Sequence, residues 1–185
     1  MIGVLALQGA FAEHEHILEE LGVPYRQLRQ KTDLDTIYDG FILPGGESTV
    51  QSKLLVDLGM FGPLKEQIEK GAAVLATCAG MILLAQEVED DPLKTLAAIP
   101  MKVRRNAYGR QLGSFYTEGE VKGIGRVPMT FIRAPYVTEV SPEAETVSVV
   151  NGNIVGVKYK RRLAFSFHPE LDGDLRIHKK FLDLL

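Results

Sequence analysis

Cys78 is the chain's one cysteine, and it closes the apolar run Gly71-Ala72-Ala73-Val74-Leu75-Ala76-Thr77 before a second apolar segment, Met81 to Ala85. Its small neighbours Ala76, Ala79 and Gly80 let the chain turn tightly from a buried strand into a helix, so that the thiol stands at the strand end. There the positive end of the peptide dipoles favours the thiolate, the form that attacks carbonyl carbon. By itself such a residue reads equally well as a buried structural thiol. A catalytic thiol needs a base and a group to orient that base. His168 follows the apolar segment Leu163 to Phe167 and opens His168-Pro169-Glu170. The proline holds the path rigid, so Glu170 can accept a hydrogen bond from one ring nitrogen and leave the other for Cys78. Alone, His168 reads as an ordinary strand-end residue; its weight comes from the match with Cys78.

The other three histidines read differently. His14 and His16 fall in a Glu-rich helix and His178 in the terminal helix, and all three are expected at the solvated surface. His14 and His16 are two apart, so they do not share a helical face on which to bind a metal. A third cluster is Leu43-Pro44-Gly45-Gly46-Glu47-Ser48-Thr49. Glycines after a strand expose backbone N–H groups, and the helix that follows adds its dipole, as in an oxyanion site. The same features suit phosphate or a plain turn capped by Ser48. The loop lacks the lysine and spacing of a P-loop and does not match Gly-x-Gly-x-x-Gly.

These clusters must be positioned by the elements around them. Ile2 to Leu7 reads as a buried strand, Phe11 to Leu21 as a helix stopped by Gly22, and Val23 to Leu28 as a second strand. Leu34 to Ile37 reads as a short helix and Phe41 to Leu43 as a third strand, followed by a helix capped by Ser48 and another with Pro63 near its start. Strands alternating with helices imply a parallel sheet. After Glu87 the chain turns β-rich, and Asn151-Gly152-Asn153 between two apolar runs is a hairpin signal. The terminal helix presents Leu175, Ile177, Phe181 and Leu182. The expected fold is an α/β single-domain flavodoxin-like three-layer sandwich over residues 1–185, mostly parallel, with an antiparallel β extension.

Composition narrows the function classes. At 185 residues one domain can bury roughly 70% of its unfolded surface. A formal charge of −3 leaves no basic footprint for nucleic acid or an anionic membrane. One cysteine excludes an internal disulfide, and neither a signal peptide nor a run of roughly 20 apolar residues is visible, so a cytoplasmic location is expected.

With these pieces together, the sequence resembles the class I (triad) glutamine amidotransferases, marked by a Gly-x-Cys-x-Gly elbow, a distant His-Pro-Glu and a glycine-rich loop. More narrowly it is similar to the glutaminase subunits of pyridoxal 5′-phosphate synthase (the PdxT/SNO family). Four stretches carry that match: Leu5-Ala6-Leu7-Gln8-Gly9; Pro44 to Thr49; Arg105-Asn106-Ala107-Tyr108-Gly109-Arg110-Gln111 through Ser114-Phe115; and Phe131-Ile132-Arg133-Ala134-Pro135. Ala76 departs from the elbow pattern, where glycine is usual, and alanine resists φ > 0.

The resemblance implies L-glutamine as substrate and Cys78, His168 and Glu170 as the catalytic triad. It implies an oxyanion hole from Ala79 with Gly45 or Gly46, and substrate contacts from Gly46, Glu47, Ser48, Arg105, Ile132 and Arg133. No metal or organic cofactor is implied. The implied partner is a (β/α)₈-barrel synthase subunit, in a large hetero-oligomer, that takes up the ammonia and activates the glutaminase by docking. Competing readings are the glutaminase of another amidotransferase, such as that of histidine biosynthesis, a noncatalytic regulatory subunit, and a cysteine peptidase.

Overall fold

The computed structural model describes residues 1–107 and 113–185. Of the motif segments, Tyr108, Gly109, Arg110 and Gln111 therefore lie outside the described residues. The first half is built of strands that feed helices: β1 (Ile2–Leu5), α1 (Phe11–Glu20), β2 (Tyr25–Leu28), β3 (Gly40–Leu43), α2 (Ser48–Asp57), α3 (Phe61–Glu69), β4 (Ala73–Thr77) and α4 (Ala79–Leu84). The β-rich part runs through β5 (Ala85–Val88), β6 (Ile99–Arg104), β7 (Ser114–Val121), β8 (Gly125–Ile132), β9 (Tyr136–Val140), β10 (Glu145–Val150), β11 (Asn153–Tyr159) and β12 (Arg162–Phe165), and α5 (Arg176–Leu182) ends the chain.

Main-sheet order is β2-β1-β3-β4-β12-β11-β9-β6-β5, with β10 paired on β11, while β7 and β8 form a separate hairpin. The pairs from β2 to β12 are all parallel, and the strands beyond enter antiparallel through β11 and β9. This is the flavodoxin-like order with an antiparallel extension, as expected from the alternation of elements and the later β-rich stretch. β10 and β11 turn through Asn151 and Gly152, both at positive φ (50° and 79°), the backbone that an Asn-Gly hairpin requires.

Alternate strand residues point to opposite faces, which produces two cores. On one face Phe41, Leu43, Val74 and Ala76 pack with Leu55, Leu64, Ile68 and Met81 under α2, α3 and α4. On the other, Ile2, Val4, Ile42 and Leu75 pack with Leu18, Ile177, Phe181 and Phe131 under α1, α5 and the hairpin. Arg162 opens β12 as a buried cation whose guanidinium donates to the carbonyls of Ala98 (2.5 Å) and Ile68 (2.8 Å).

Two local expectations change. The helix placed at Leu34 to Ile37 is a 3₁₀ turn over Lys31–Asp35, because Asp33 accepts the backbone N–H groups of Arg29 and Gln30 and closes the turn early. Ile37 is left 80% exposed beyond it. Ser48 does not cap α2 but is its first residue and is buried; the cap position is Glu47, which makes no side-chain cap bond because its carboxylate turns to Arg133.

Candidate active site

The site follows from strand register. Parallel pairing aligns Phe165 of β12 with Thr77 of β4, and Ala76 of β4 with Leu43 of β3. The residues just past these positions, Pro44 to Gly46, Cys78 and His168, therefore leave the carboxyl ends of three adjacent strands on one edge, the usual place for a ligand in an open α/β sheet. All three sequence clusters meet there.

Cys78 carries the turn itself, at φ 47° and ψ −104°. A non-glycine residue held in such a conformation costs about 1–3 kcal/mol and persists only when its surroundings enforce it. Here its N–H donates to the Phe165 carbonyl (2.8 Å), and its own carbonyl accepts from Ile82 N–H at 3.3 Å. Gly80 lets α4 lie against β3, since a Cβ there would come within 2.0 Å of the Leu43 carbonyl oxygen. The concern raised by Ala76 falls away. Ala76 is an extended, fully buried residue of β4, and the left-handed backbone falls two residues later, on Cys78.

His168 is anchored by its N–H to the Thr130 carbonyl (2.8 Å), and its Nδ1 lies 2.7 Å from Glu170 Oε1. The ring lines the same cleft as Cys78. Burial alone would push the imidazole down, but the Cys78 thiol beside it, the hydrogen bond the ring donates to Glu170 and the charges of both override burial and push it up to about 10. The ring is thus held as an imidazolium across the neutral range, which is the partner a thiolate needs. The Cys78 Sγ also lies 3.8 Å from the Ile132 carbonyl. Burial works against the charged form of Glu170, but the adjacent His14 and the His168 hydrogen bond hold its carboxyl below the usual range.

Two histidines expected at the surface are buried here. His14 and His178 are both fully inaccessible, and His14 Nδ1 lies 2.8 Å from His178 Nε2. His14 Nε2 faces Thr77 Oγ1 at 3.2 Å and Glu170 Oε2 at 3.5 Å. Burial lowers both imidazoles, His178 to about 3, so both are neutral. The missed signal was positional: Phe11, His14 and Leu18 share one helical face of α1, and His178 and Phe181 share one of α5. The glutamates around His14 masked it. His16 is exposed as expected.

The glycine loop is held from two sides. Gly45 N–H donates to Thr77 Oγ1 (3.1 Å), and Gly45 carbonyl oxygen accepts from Ala10 N–H at 3.0 Å. Gly45 N–H, one of the donors expected for an oxyanion, is therefore already engaged, because Thr77 at the end of β4 reaches it first. Glu47 N–H donates to Gln8 Oε1 (2.7 Å), and the Gln51 amide donates to the Gln8 carbonyl at 2.9 Å.

A cleft of about 240 Å³ opens over Cys78 and His168. Its lining includes Gly45, Gly46, Glu47, Ser48, Arg105, Ile132 and Arg133 from the expected set, together with Gln8, Ala10, Ile82 and Asn106. Ala79, at the first turn of α4, and Glu170, behind His168, lie outside that lining. Two ion pairs bring charge to the cleft, Arg133 to Glu47 (2.9 Å) and Arg105 to Asp91. Arg133 is at φ 44°, a left-handed position for a long side chain. The arrangement offers a thiol and an imidazole in one cleft, glycine backbone and charges of both signs around a space sized for a small zwitterion. Among the described residues there is no group of three or more His, Cys, Asp or Glu side chains placed to hold a metal, and no helix is long and apolar enough to cross a membrane.

Comparison with known proteins gives a consistent result. Residues 4–185 match the model of the SNO glutamine amidotransferase family. The chain is 58% identical over 182 residues to "Pyridoxal 5'-phosphate synthase subunit PdxT" of Desulfitobacterium hafniense (strain DSM 10664 / DCB-2), covering 98% of this chain and 92% of that protein. It is 50% identical over 186 residues to the protein of the same name from Streptococcus pneumoniae serotype 2, covering 99% and 96%. A crystal structure described as a glutamine amidotransferase superposes with a TM-score of 0.93 at 39% identity, covering 99% of this chain and 97% of that one.

Proposed function

The chain belongs to the SNO glutamine amidotransferase family, and we propose that it hydrolyses L-glutamine to L-glutamate and ammonia as the glutaminase subunit of pyridoxal 5′-phosphate synthase. The observation that carries this reading is the placement of Cys78 and His168 in one cleft at one sheet edge, with the Glu170 carboxylate 2.7 Å behind the His168 ring.

The Cys78 thiolate adds to the side-chain carboxamide carbon of glutamine, and negative charge moves to the amide oxygen. Ala79 N–H, among the helix-start donors with no intrahelical partner, and Gly46 N–H receive that charge. Gly45 shapes the loop instead, its own N–H being committed to Thr77. His168 passes its proton to the departing nitrogen, the C–N bond breaks, and ammonia leaves a glutamyl thioester on Cys78. The now neutral imidazole takes a proton from water as its oxygen attacks the thioester. Glutamate leaves, and the thiolate–imidazolium pair is restored. Glu170 orients the ring and stabilises its charged form throughout.

The amino-acid end of glutamine is held by exchange. Its ammonium suits Glu47 and its carboxylate suits Arg105 or Arg133, and each of these charges is already compensated by a neighbour. Binding therefore swaps one ion pair for another without burying an unpaired charge. Ser48 and Ile132 close the cleft wall.

Ammonia released into water is protonated and lost as a nucleophile, so a partner must receive it directly. The name shared by the relatives, a subunit of pyridoxal 5′-phosphate synthase, supports another subunit of that synthase as the partner; we read that partner as a (β/α)₈ barrel in a hetero-oligomer, with residues 1–185 acting as one glutaminase domain in the cytoplasm. The test is ammonia release from L-glutamine by the purified chain, alone and mixed with that synthase subunit, with Cys78→Ala as control. Activity that rises with the partner and vanishes in the variant supports the assignment. Activity indifferent to the partner moves it to another amidotransferase, and absence of activity in both conditions leaves a noncatalytic subunit.

A further inference from the structure

The mechanism above uses three side chains, yet the polar line does not stop at Glu170. Oε1 of Glu170 serves His168, but Oε2 is buried and accepts no hydrogen bond among the described residues; its near polar neighbour is His14 Nε2 at 3.5 Å. An ionised carboxylate oxygen in that position is costly unless a donor faces it. The same His14 nitrogen lies 3.2 Å from Thr77 Oγ1, the atom that holds Gly45 N–H. One buried ring therefore touches both the carboxylate that orients the base and the residue that ties down the glycine loop.

We propose that His14 is a positioning residue for the glutaminase reaction, an imidazole whose Nε2–H fixes Glu170 behind the base and, through Thr77, the Gly45 loop in front of it. This inference rests on the triad reading and deepens it.

The tautomer follows from the contacts. His14 Nε2 faces two oxygens, while its Nδ1 faces His178 Nε2 at 2.8 Å. A proton on His14 Nε2 and another on His178 Nε2 set every donor against an acceptor and leave a bare lone pair at His178 Nδ1, which is buried and has no hydrogen-bond partner among the described residues. The opposite choice would aim a lone pair at the Glu170 carboxylate and bury an unpaired N–H. His178 thus sets the His14 tautomer, as outer carboxylates and carbonyls do for metal-bound histidines. The charged groups acting on His14 are Glu170 and His168 after β12 and Glu13 on its own helix, and His178 on α5 meets its Nδ1. Thr77 adds a neutral hydroxyl from β4. Burial is the largest influence and keeps the ring neutral, so His14 works as a hydrogen-bond donor and not as a second cation.

The test separates this role from space filling. In His14→Gln the amide nitrogen can reach the place of Nε2. In His14→Asn it reaches only the place of Nδ1, so the shorter amide keeps polarity and loses the contacts to Glu170 and Thr77. The rate of Cys78 alkylation by iodoacetamide at neutral pH is followed by intact mass on each folded chain, together with His168→Ala. Glutamine turnover is then measured with the synthase subunit present. We expect His168→Ala to slow alkylation. His14→Asn should slow it too, because the carboxylate that orients the ring loses the donor facing it, and reduce kcat by about tenfold or more with a smaller change in KM. His14→Gln should restore most of both. If His168→Ala slows alkylation but His14→Asn does not, or if Gln and Asn are equally impaired, the positioning role is overturned while the triad stands. If His168→Ala leaves the alkylation rate unchanged, the triad reading fails and this inference with it.

Discussion

Gly45 lies so close to the His168 imidazole that a Cβ on it would come within 2.2 Å of His168 Cε1 and 3.3 Å of Cys78 Cβ. The glycine is thus required by the ring as much as by the loop. Gly45→Ala must displace the ring from Cys78 or the loop from Thr77. Misplacement of about an ångström commonly costs on the order of 10²-fold in rate. We expect turnover with the partner present to fall by that order, with the thermal midpoint little changed. Near-normal kcat in a folded Gly45→Ala chain would show that the ring has room the structure denies it.

The His168 shift predicts a pH dependence with a definite sign. Its folded value, about 10, lies above its unfolded value of about 6.5. The stability it contributes is therefore fully present below pH 6.5 and is lost as pH rises towards 10. An NMR titration of the ring Cε1 proton should show one histidine changing state near 10, and that transition should move down in Cys78→Ala and in Glu170→Gln. A His168 resonance titrating near 6.5 in the intact chain would contradict the ion pair. Glu170→Gln, which keeps an acceptor but removes the charge, should also lower kcat by roughly 10²–10⁴-fold.

Arg133 combines a strained backbone with a charge at the cleft. It is a non-glycine residue at φ 44° whose guanidinium meets Glu47 at the cleft. Arg133→Gly relieves the backbone and removes the charge. Equilibrium unfolding should show stability unchanged or raised, by up to about 1 kcal/mol, whereas KM for glutamine should rise at least tenfold with kcat less affected. Loss of stability with an unaltered KM would place Arg133 in the scaffold and not in the site.

Arg162 gives a contrasting case, a buried cation far from the chemistry in role. Its two charge-assisted hydrogen bonds join the start of β12 to the end of α3 and to the segment entering β6. Arg162→Ala leaves two buried carbonyls short of donors, and urea unfolding should register a loss of about 2–4 kcal/mol. Residual folded protein should keep the glutaminase KM, since no cleft residue is touched. An unchanged unfolding midpoint would show that water replaces the guanidinium.

The candidate reacting groups and the strand ends that carry them were legible in the chain itself. A lone cysteine between two apolar runs, a histidine leaving an apolar strand through proline to glutamate, and two glycines after a third strand are local patterns. Local patterns report which residues lie at strand ends, because hydrophobic period and turn chemistry are short-range. The alternation of strand and helix likewise implied the parallel sheet. What the pattern could not supply was register, since pairing energies link residues far apart in the chain. The alignment of Thr77 with Phe165 and of Leu43 with Ala76 decides that the three clusters share one edge.

Burial of two polar rings was the larger surprise. His14 and His178 are 164 residues apart and meet behind Glu170 only when α1 and α5 cover the same face of the sheet. Thr77 takes the Gly45 N–H by the same route, and Cys78, not Ala76, adopts the left-handed turn because β12 and α4 hold it there. The sequence by itself determined which atoms could react and at which strand ends they stand. Only the tertiary structure decided which neutral and charged neighbours surround them, because desolvation and hydrogen-bond partnership belong to the packed molecule and not to any stretch of chain.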